Sequence, residues 1–493
     1  MKMDQTVTIN FPGGIIFPGH MCNILRAAAT SKIRFVRFGL RQQLLIDTTS
    51  ENLSILTSEL DKMEITYQTS GDSYPNIISS YPAEGIFIRN SWLGEGVYRD
   101  IFDTIDFRPT VKVNICDKNQ SFTPMLTGNI NWVASETEHY WHLIIRFPRT
   151  NVVFEWDHLC YTNNIASITK QLEQFIKNDP AAFFDNENAS GEKLFKLLDR
   201  DDLILKPSEQ KVTLSSFNLP YYEGLNRYNN KYWLGIYRRD ELFSVAFLKK
   251  MCLLCMATKL GQLCCTSWKT IIIKGIDEQD KHLWNELLEE FKVNMRHGAN
   301  ELNFQVEDNC AAGLELKSYL VKHLIIDDIR TFGICFGIKT RKKSEVFSSI
   351  LIRRRHLVNL LFIKLFPVYD ILCAKNFNPN ERTGEIFSSS NPKALLPEQL
   401  RRAVIKFYNY RSSAIAEDHL KAKSSPERVA PKEQEYLYQC QNCLTIYDES
   451  LGETAYNIPA GTSFTDLTSS FCCSLCEAEK DQFIRIAKEE LYI

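Results

Sequence analysis

Four cysteines near the C-terminal end have the types and spacing for metal chemistry: Cys440 and Cys443 in "YQCQNCLTIYDE", and Cys473 and Cys476 in "FCCSLCEAEKDQF". A Cys-x-x-Cys turn sets two sulfurs on one side of a tight loop. Two such turns face to face enclose a tetrahedral four-thiolate site for zinc or iron. Between Cys443 and Cys473 lie 29 residues that include turn formers, a spacing that four unrelated core cysteines would not readily produce. Other candidates are weaker. Cys252 and Cys255 sit in the apolar helical run "KKMCLLCMATK", with Cys264 and Cys265 nearby, and read as buried structural thiols. His139 and His142, three apart in a strand-like stretch, fall on opposite faces and do not share a ligand.

The elements that position these residues follow from composition and pattern. A chain of 493 residues, 44% hydrophobic and 12% aromatic, has the apolar content for several ordinary cores. The formal net charge of -2 argues against nucleic-acid wrapping or coating of an anionic membrane. Charge is uneven: residues 438–493 hold nine Asp and Glu against three Lys and Arg, which leaves the remainder at +4. The start "MKMDQTVTINF" has no apolar leader, and fifteen cysteines are sparse for a secreted disulfide scaffold. "LVNLLFIKLF", Leu357 to Phe366, is too short for a membrane span, is broken by Lys364, and reads as core. The expectation is a cytoplasmic protein without nucleic-acid partners or membrane insertion.

Residues 412–435 are rich in Ser, Pro, Lys and Glu and read as a solvated linker that isolates the tail. Upstream, two segments share one order of signals. "MCNILRAAAT", "IRFVRFGLRQQLLID" and "TSENLSILTSELDKM" predict helix, strand pair, helix, with Thr48 and Glu51 as a capping box and Leu53, Leu56 and Leu60 on one face. "LFSVAFLKKMCLLCMATK", "QLCCTSWKTIIIKGI" and "DEQDKHLWNELLEEFKV" repeat the order at a single offset of 227, which sets Arg41 on Trp268. A β-rich region follows each unit, so that part also reads as duplicated, more faintly. The basic runs at Arg341–Lys343 and Arg353–Arg355 are either a docking or anion patch or a solvated face.

The stretch from Tyr438 to Phe483 resembles a rubredoxin along its length without a gap. It has Tyr438 two residues before the first Cys, "IYD" at Ile446–Asp448, Gly452, "IPAGTSFTDL" at Ile458–Leu467, the second Cys pair, Lys480 and Phe483. The resemblance implies one iron on Cys440, Cys443, Cys473 and Cys476, with Tyr438, Tyr447, Phe464, Phe471 and Phe483 as a small aromatic core, and Cys472 as a spectator. Departures are Leu444 and Glu477 where the family has Gly, Ser474 for Pro, and Phe471 for Trp.

The body resembles the siroheme-dependent nitrite/sulfite reductase family, through "FGLRQQLLI", "YPNIISSYPAEGI", "VKVN", "NKYWLGI" and "TSWKTIIIKGI". In that family an Arg beside a Gln, and a Lys, bind the siroheme carboxylates, and Arg41 and Lys112 are the matching positions. Pro75 stands where another Arg is expected. The family's cluster ligands, Cys-x5-Cys followed by Cys-x3-Cys, are missing from the body, where Cys310 is at most a remnant.

The fold class expected is therefore α+β: duplicated ferredoxin-like, sulfite-reductase-like halves at 1–190 and 191–411, the linker at 412–435, and a small rubredoxin domain at 436–493. The function expected is one-electron transfer by a tetrathiolate iron to or from a redox protein or reductase. Nitrite, nitrate or sulfite assimilation is the setting that the resemblance implies. The expectation leans to a non-catalytic electron carrier; if the chain is an enzyme, it is a nitrite/sulfite reductase-like oxidoreductase. The alternatives are a reductase-like enzyme holding siroheme or another tetrapyrrole at Arg41 and Lys112, and a zinc-filled interaction module. Siroheme and a four-iron four-sulfur cluster are not expected.

Overall fold

Local signals in the first 65 residues set the pattern for the body. In the computed structural model, residues 5–487 are described apart from 70–73, 89–90, 120–121, 151, 342–344, 361–362, 382–383, 425–435, 444, 454–455, 457 and 460. The helix Pro18–Thr30 starts on a proline, whose missing N–H costs nothing in the first turn, and buries Met21, Ile24, Leu25, Ala27 and Ala28. The small alanines let it pack closely on the helix Val245–Ala257, which buries Phe247, Leu248, Met251, Cys252 and Cys255. Each helix has 13 residues, and their starts differ by the offset of 227.

The same offset relates two pairs of backbone conformations. Lys32 and Lys259 both have φ of 59°, and Gln42 and Lys269 have φ of 58° and 57° in the tight turns between paired strands. The next helix, Ser50–Lys62, is capped by Thr49, whose hydroxyl accepts from the Asn52 N–H at 3.4 Å. The cap is one residue later than the expected Thr48, because Thr48 is the last residue of the preceding strand. Leu56 and Leu60 of this helix share one core with Leu44, Ile46, Ile271, Ile273, Trp284 and Leu287.

Each half lends a short strand to the other. Gln5–Asn10, Gln43–Thr48 and Phe35–Phe38 form an antiparallel sheet completed by Phe243–Ser244, with Phe243 opposite Val36. The second sheet, Gly224–Tyr228, Lys231–Ile236, Ile271–Ile276 and Leu263–Cys265, is completed by Ile15–Ile16, with Ile16 opposite Leu263.

The fainter repeat is also present. Ile78–Ser79, Val113–Cys116 and Ile130–Ala134 run parallel and then meet Tyr140–Arg146 antiparallel. Phe304–Val306, Phe336–Lys339 and Ile350–Leu360 run parallel and meet Ile363–Ala374 antiparallel. The strand Leu205–Pro207 adds to the first of these sheets beside His158–Tyr161, and Leu194 and Phe195 join its core. Residues 191–207 therefore pack with the first half.

By contact density the chain forms two units, Met1–Ser412 and Ser413–Ile493. The stretch read as linker begins inside a helix, Leu396–Ser424, since Ala, Glu and Lys suit an exposed helix as well as coil. Its remainder, 425–435, lies outside the described residues. The basic run at Arg353–Arg355 is largely spent inside the body. Arg353 and Arg355 reach the buried Asp370 carboxylate at 2.8 and 2.5 Å and hold its pKa well below the usual carboxylate range, over the opposing effect of burial. Arg341 donates to the Asn309 carbonyl at 2.9 Å, and residues 342–343 lie outside the described ones. Among the described residues no helix is long and apolar enough to cross a membrane.

Candidate metal centre

The tail is a three-stranded antiparallel sheet in which Tyr436–Cys440 lies between Ile446–Tyr447 and Phe483–Ala487. Cys440 ends the central strand opposite Phe483 and leads directly into the first turn. That turn closes through the Cys440 N–H on the Thr445 carbonyl at 2.8 Å, and the second closes through the Cys473 N–H on the Ala478 carbonyl at 2.8 Å. Two like turns thus present their sulfurs to one point.

The sulfurs of Cys440, Cys443, Cys473 and Cys476 lie within 4.8 Å of one another. Cys440 and Cys476 are 3.6 Å apart and Cys443 and Cys473 3.4 Å apart, sulfur to sulfur. A tetrahedron with metal–sulfur bonds of about 2.3 Å has edges of about 3.8 Å, so this donor set fits a single ion after a small expansion. Cys440 and Cys473 are buried, Cys443 is half-buried and Cys476 is exposed. The Thr445 hydroxyl, 3.1 Å from the Cys443 sulfur, and the Thr445 amide pull that thiol down to about 6, while Cys476 beside it is pushed up to about 12. Cys472 lies outside the group, its sulfur 3.1 Å from the Tyr456 hydroxyl.

The five aromatic residues expected to wall the site gather as one cluster with Leu467 and Ile458. Tyr438 stacks on Phe464 with ring centres 4.0 Å apart, and Phe471 and Phe483 follow at 5.6 Å from each other. Lys480 donates to the Leu467 carbonyl at 2.6 Å and ties this wall to the second turn. Gly452 has φ of 70°, and a Cβ there would come within 2.4 Å of the Ile458 carbonyl oxygen, so only glycine fits.

Glu477, where glycine is expected, keeps the left-handed conformation at φ of 58°. A side chain held there costs roughly 1 to 2 kcal/mol. Glu477→Gly is therefore expected to raise tail stability by roughly 1 kcal/mol once the greater freedom of unfolded glycine is deducted. The denaturant midpoint of the metal–thiolate absorbance measures this, and a midpoint that falls would disprove it. Leu444, the other departure at a glycine position, lies outside the described residues. Ser474, in place of proline, donates to Glu453 at 3.0 Å.

In the body, Arg41 and Lys112 come together, but on a carboxylate of the chain itself. Arg41 Nη1 is 3.6 Å from Glu345, and Lys112 pairs with the other oxygen of the same carboxylate. Although Glu345 is partly buried, these two cations hold its pKa below the ordinary value. Sequence reading missed Glu345, because "RKKSE" carries the signature of a solvated charged loop and nothing local marks its partners. Cys310 caps the helix Ala311–Ile326, with its sulfur 3.3 Å from the Thr340 hydroxyl. The body has neither the Cys-x5-Cys nor the Cys-x3-Cys spacing, and Arg41 and Lys112 face Glu345.

The structure of the NirA protein of Mycobacterium tuberculosis superposes on 82% of this chain and 80% of its own, with a TM-score of 0.60 and 12% sequence identity. The likeness is one of fold. Rubredoxin from Megasphaera elsdenii is 43% identical over 49 residues, 10% of this chain and 92% of that protein. Probable Rubredoxin-2 from Methanocaldococcus jannaschii is 47% identical over 49 residues, 10% of this chain and 87% of that protein. Residues 437–483 match the rubredoxin family profile. With its four sulfurs converged at the ends of two like turns, the chain belongs, through this C-terminal domain, to the rubredoxin family.

Proposed function

We propose that Cys440, Cys443, Cys473 and Cys476 hold one iron ion and that the protein is a one-electron carrier serving a reductase, with the body as docking scaffold. The convergence of four thiols in a rubredoxin domain carries this reading. When bound, a tetrathiolate iron supplies an Fe(II)/Fe(III) couple that changes charge with little movement of its ligands. The chain's own residues do the rest. The aromatic wall keeps water from Cys440 and Cys473, while Cys443 and the exposed Cys476 leave one edge open to a partner. The Thr445 hydroxyl, 3.1 Å from the Cys443 sulfur, favours the thiolate form of that ligand.

The fold of the body makes nitrite or sulfite reduction the natural setting, by analogy of scaffold alone. All fifteen cysteines are free thiols, which suits a reducing, cytoplasmic compartment. The halves, the helix after them and the tail serve as scaffold, spacer and carrier.

Freshly purified full-length protein is expected to be red, with thiolate-to-iron bands and about one iron per chain. Stoichiometric zinc from iron-replete cells would overturn the electron-transfer reading in favour of an interaction module. A Soret band from the purified chain would instead favour a tetrapyrrole-binding body.

A further inference from the structure

The apolar stretch Leu357 to Phe366, which reads as core in the sequence, is the end of a two-stranded ribbon. Ile350–Leu360 and Ile363–Ala374 pair antiparallel as far as Leu360 opposite Ile363. Their neighbours in the sheet stop short of that end. Phe336–Lys339 pairs no further than Lys339 opposite Arg353, and Gly384–Asn391 no further than Asn391 opposite Tyr369. Among the described residues no third strand flanks 354–368. The first half supplies a comparison: its counterpart strand, Ile130–Ala134, has five residues where this one has eleven, and it ends one residue beyond its parallel neighbour.

The extension is apolar, and Lys364 is its one ionic residue between 357 and 366. Register sets Val358 beside Leu365 and Leu360 beside Ile363, and strand alternation puts those four positions on one face. Phe366, nearer the base, is 65% exposed. An unflanked strand leaves a row of N–H and C=O groups open, and natural edges are blunted by charge, proline or a break in the strand. One edge of this ribbon is blunted in that way. Pro367 brings no N–H, Lys364 brings a charge and Phe366 has φ of 55°, all on Ile363–Ala374. The other edge, 354–360, has neither a proline nor a positive φ, and its Arg354 and Arg355 lie at the base.

We propose that the 354–360 edge is the docking surface for a second copy of this chain, which adds the same strand antiparallel across a twofold axis. Charge selects that occupant and that direction. A full antiparallel overlap of 354–360 on its copy centres on Leu357, so Arg354 falls opposite Leu360 and Arg355 opposite Asn359. No cation meets a cation, whereas a parallel overlap would set Arg354 on Arg354 and Arg355 on Arg355. The end of the ribbon, meanwhile, offers almost nothing to a partner recognised by its charge. Main-chain bonds supply the affinity, and the face at Val358, Leu360, Ile363 and Leu365 doubles as two ribbons become one four-stranded sheet. Because each chain has one open edge, the assembly closes at two. The inference stands apart from the iron centre, because every group in it belongs to the body.

Sedimentation equilibrium of the full-length protein at micromolar concentrations is expected to show a dimer. Leu357→Lys sets like charges face to face on the axis and removes a leucine pair, so it is expected to weaken dimerisation at least about tenfold. Leu357→Glu alone is expected to do the same. An equimolar mixture of the two variants is expected to recover a dimer, since opposite charges then meet at the axis. Both variants should keep the urea transition of the body, because the change lies beyond the strands that flank the ribbon. A monomeric unaltered protein, an assembly larger than two, a dimer indifferent to Leu357→Lys, or no recovery in the mixture would each overturn the proposal. So would a monomer that sediments with vesicles of phosphatidylcholine and phosphatidylglycerol, which would make the apolar end a lipid contact.

Discussion

Full-length protein carrying Cys473→Ser is expected to bind no iron at neutral pH and to lose the cooperative fold of its tail, while the unfolding transition of the body stays in place. The tail is too small to rely on its core. Its buried apolar cluster consists of Tyr447, Phe464, Leu467 and Phe471, with three half-buried neighbours. Domains of this size are marginal without a metal or disulfides, and structural four-ligand metal sites contribute on the order of 10 kcal/mol to folding. Cys473 is 1% exposed and joins Cys440 and Ala478 in the packed base of the site, so an alcohol there loses both a thiolate and a contact. Metal analysis together with hydrogen exchange of the tail amides reads the outcome. Full iron with native protection would refute it. If that iron then disappeared in the Cys472→Ser/Cys473→Ser double variant, Cys472 would be the replacement donor.

Lys269→Met is expected to destabilise the body by about 3 to 5 kcal/mol, the usual cost of leaving a buried ion pair with one partner. Lys269 is 5% exposed, and its ammonium meets Glu241 at 2.7 Å and Asp308 at 3.4 Å, with the Glu307 carbonyl at 3.3 Å. Asp308 in turn accepts from the Leu40 N–H at 3.1 Å in the turn that holds Arg41, so one cation ties corresponding turns of both halves together. Urea unfolding monitored by tryptophan fluorescence measures the loss. The double variant Lys269→Met/Glu241→Gln should recover part of it, because one of the two stranded carboxylates is then neutral. A loss below about 1 kcal/mol for the single change would mean that the pair is as dispensable as a surface one.

The duplication and the convergence of the four cysteines were legible because each rests on local spacing. The Cys-x-x-Cys turns need only four positions, and the paired helices repeat their burial pattern at one offset, so a reader of the sequence meets the same signal twice. The cap at Thr49 was missed by one residue, because Thr48 and Thr49 are chemically alike and only the strand's end tells them apart. The helix through Ser424 was hidden by a composition that serves coil and exposed helix equally. Glu345 was illegible for a different reason. Its partners Arg41 and Lys112 lie more than 230 residues earlier, and no periodicity links a charge to a cavity that tertiary folding creates. Arg353 and Arg355 mislead in the same way, since the acid that neutralises them lies on the adjacent strand.

The reciprocal loan of short strands bears on how the chain is made. Ile16 finds its partner only in Leu263, about 250 residues later. At translation rates of roughly 5 to 20 residues per second, the N-terminal segment waits about 12 to 50 s before its partner strand exists. Over that interval the first half has one sheet lacking Phe243–Ser244 and an unclaimed strand at Ile15–Ile16, both open edges that invite wrong pairing. Closing a loop of that length also places the decisive contacts late and makes them few, which slows the search for the native state. A nascent chain of this architecture is thus a natural client for chaperones that shield apolar edges during synthesis. Slowing the ribosome before residue 263 lengthens the exposure, whereas slowing it afterwards does not.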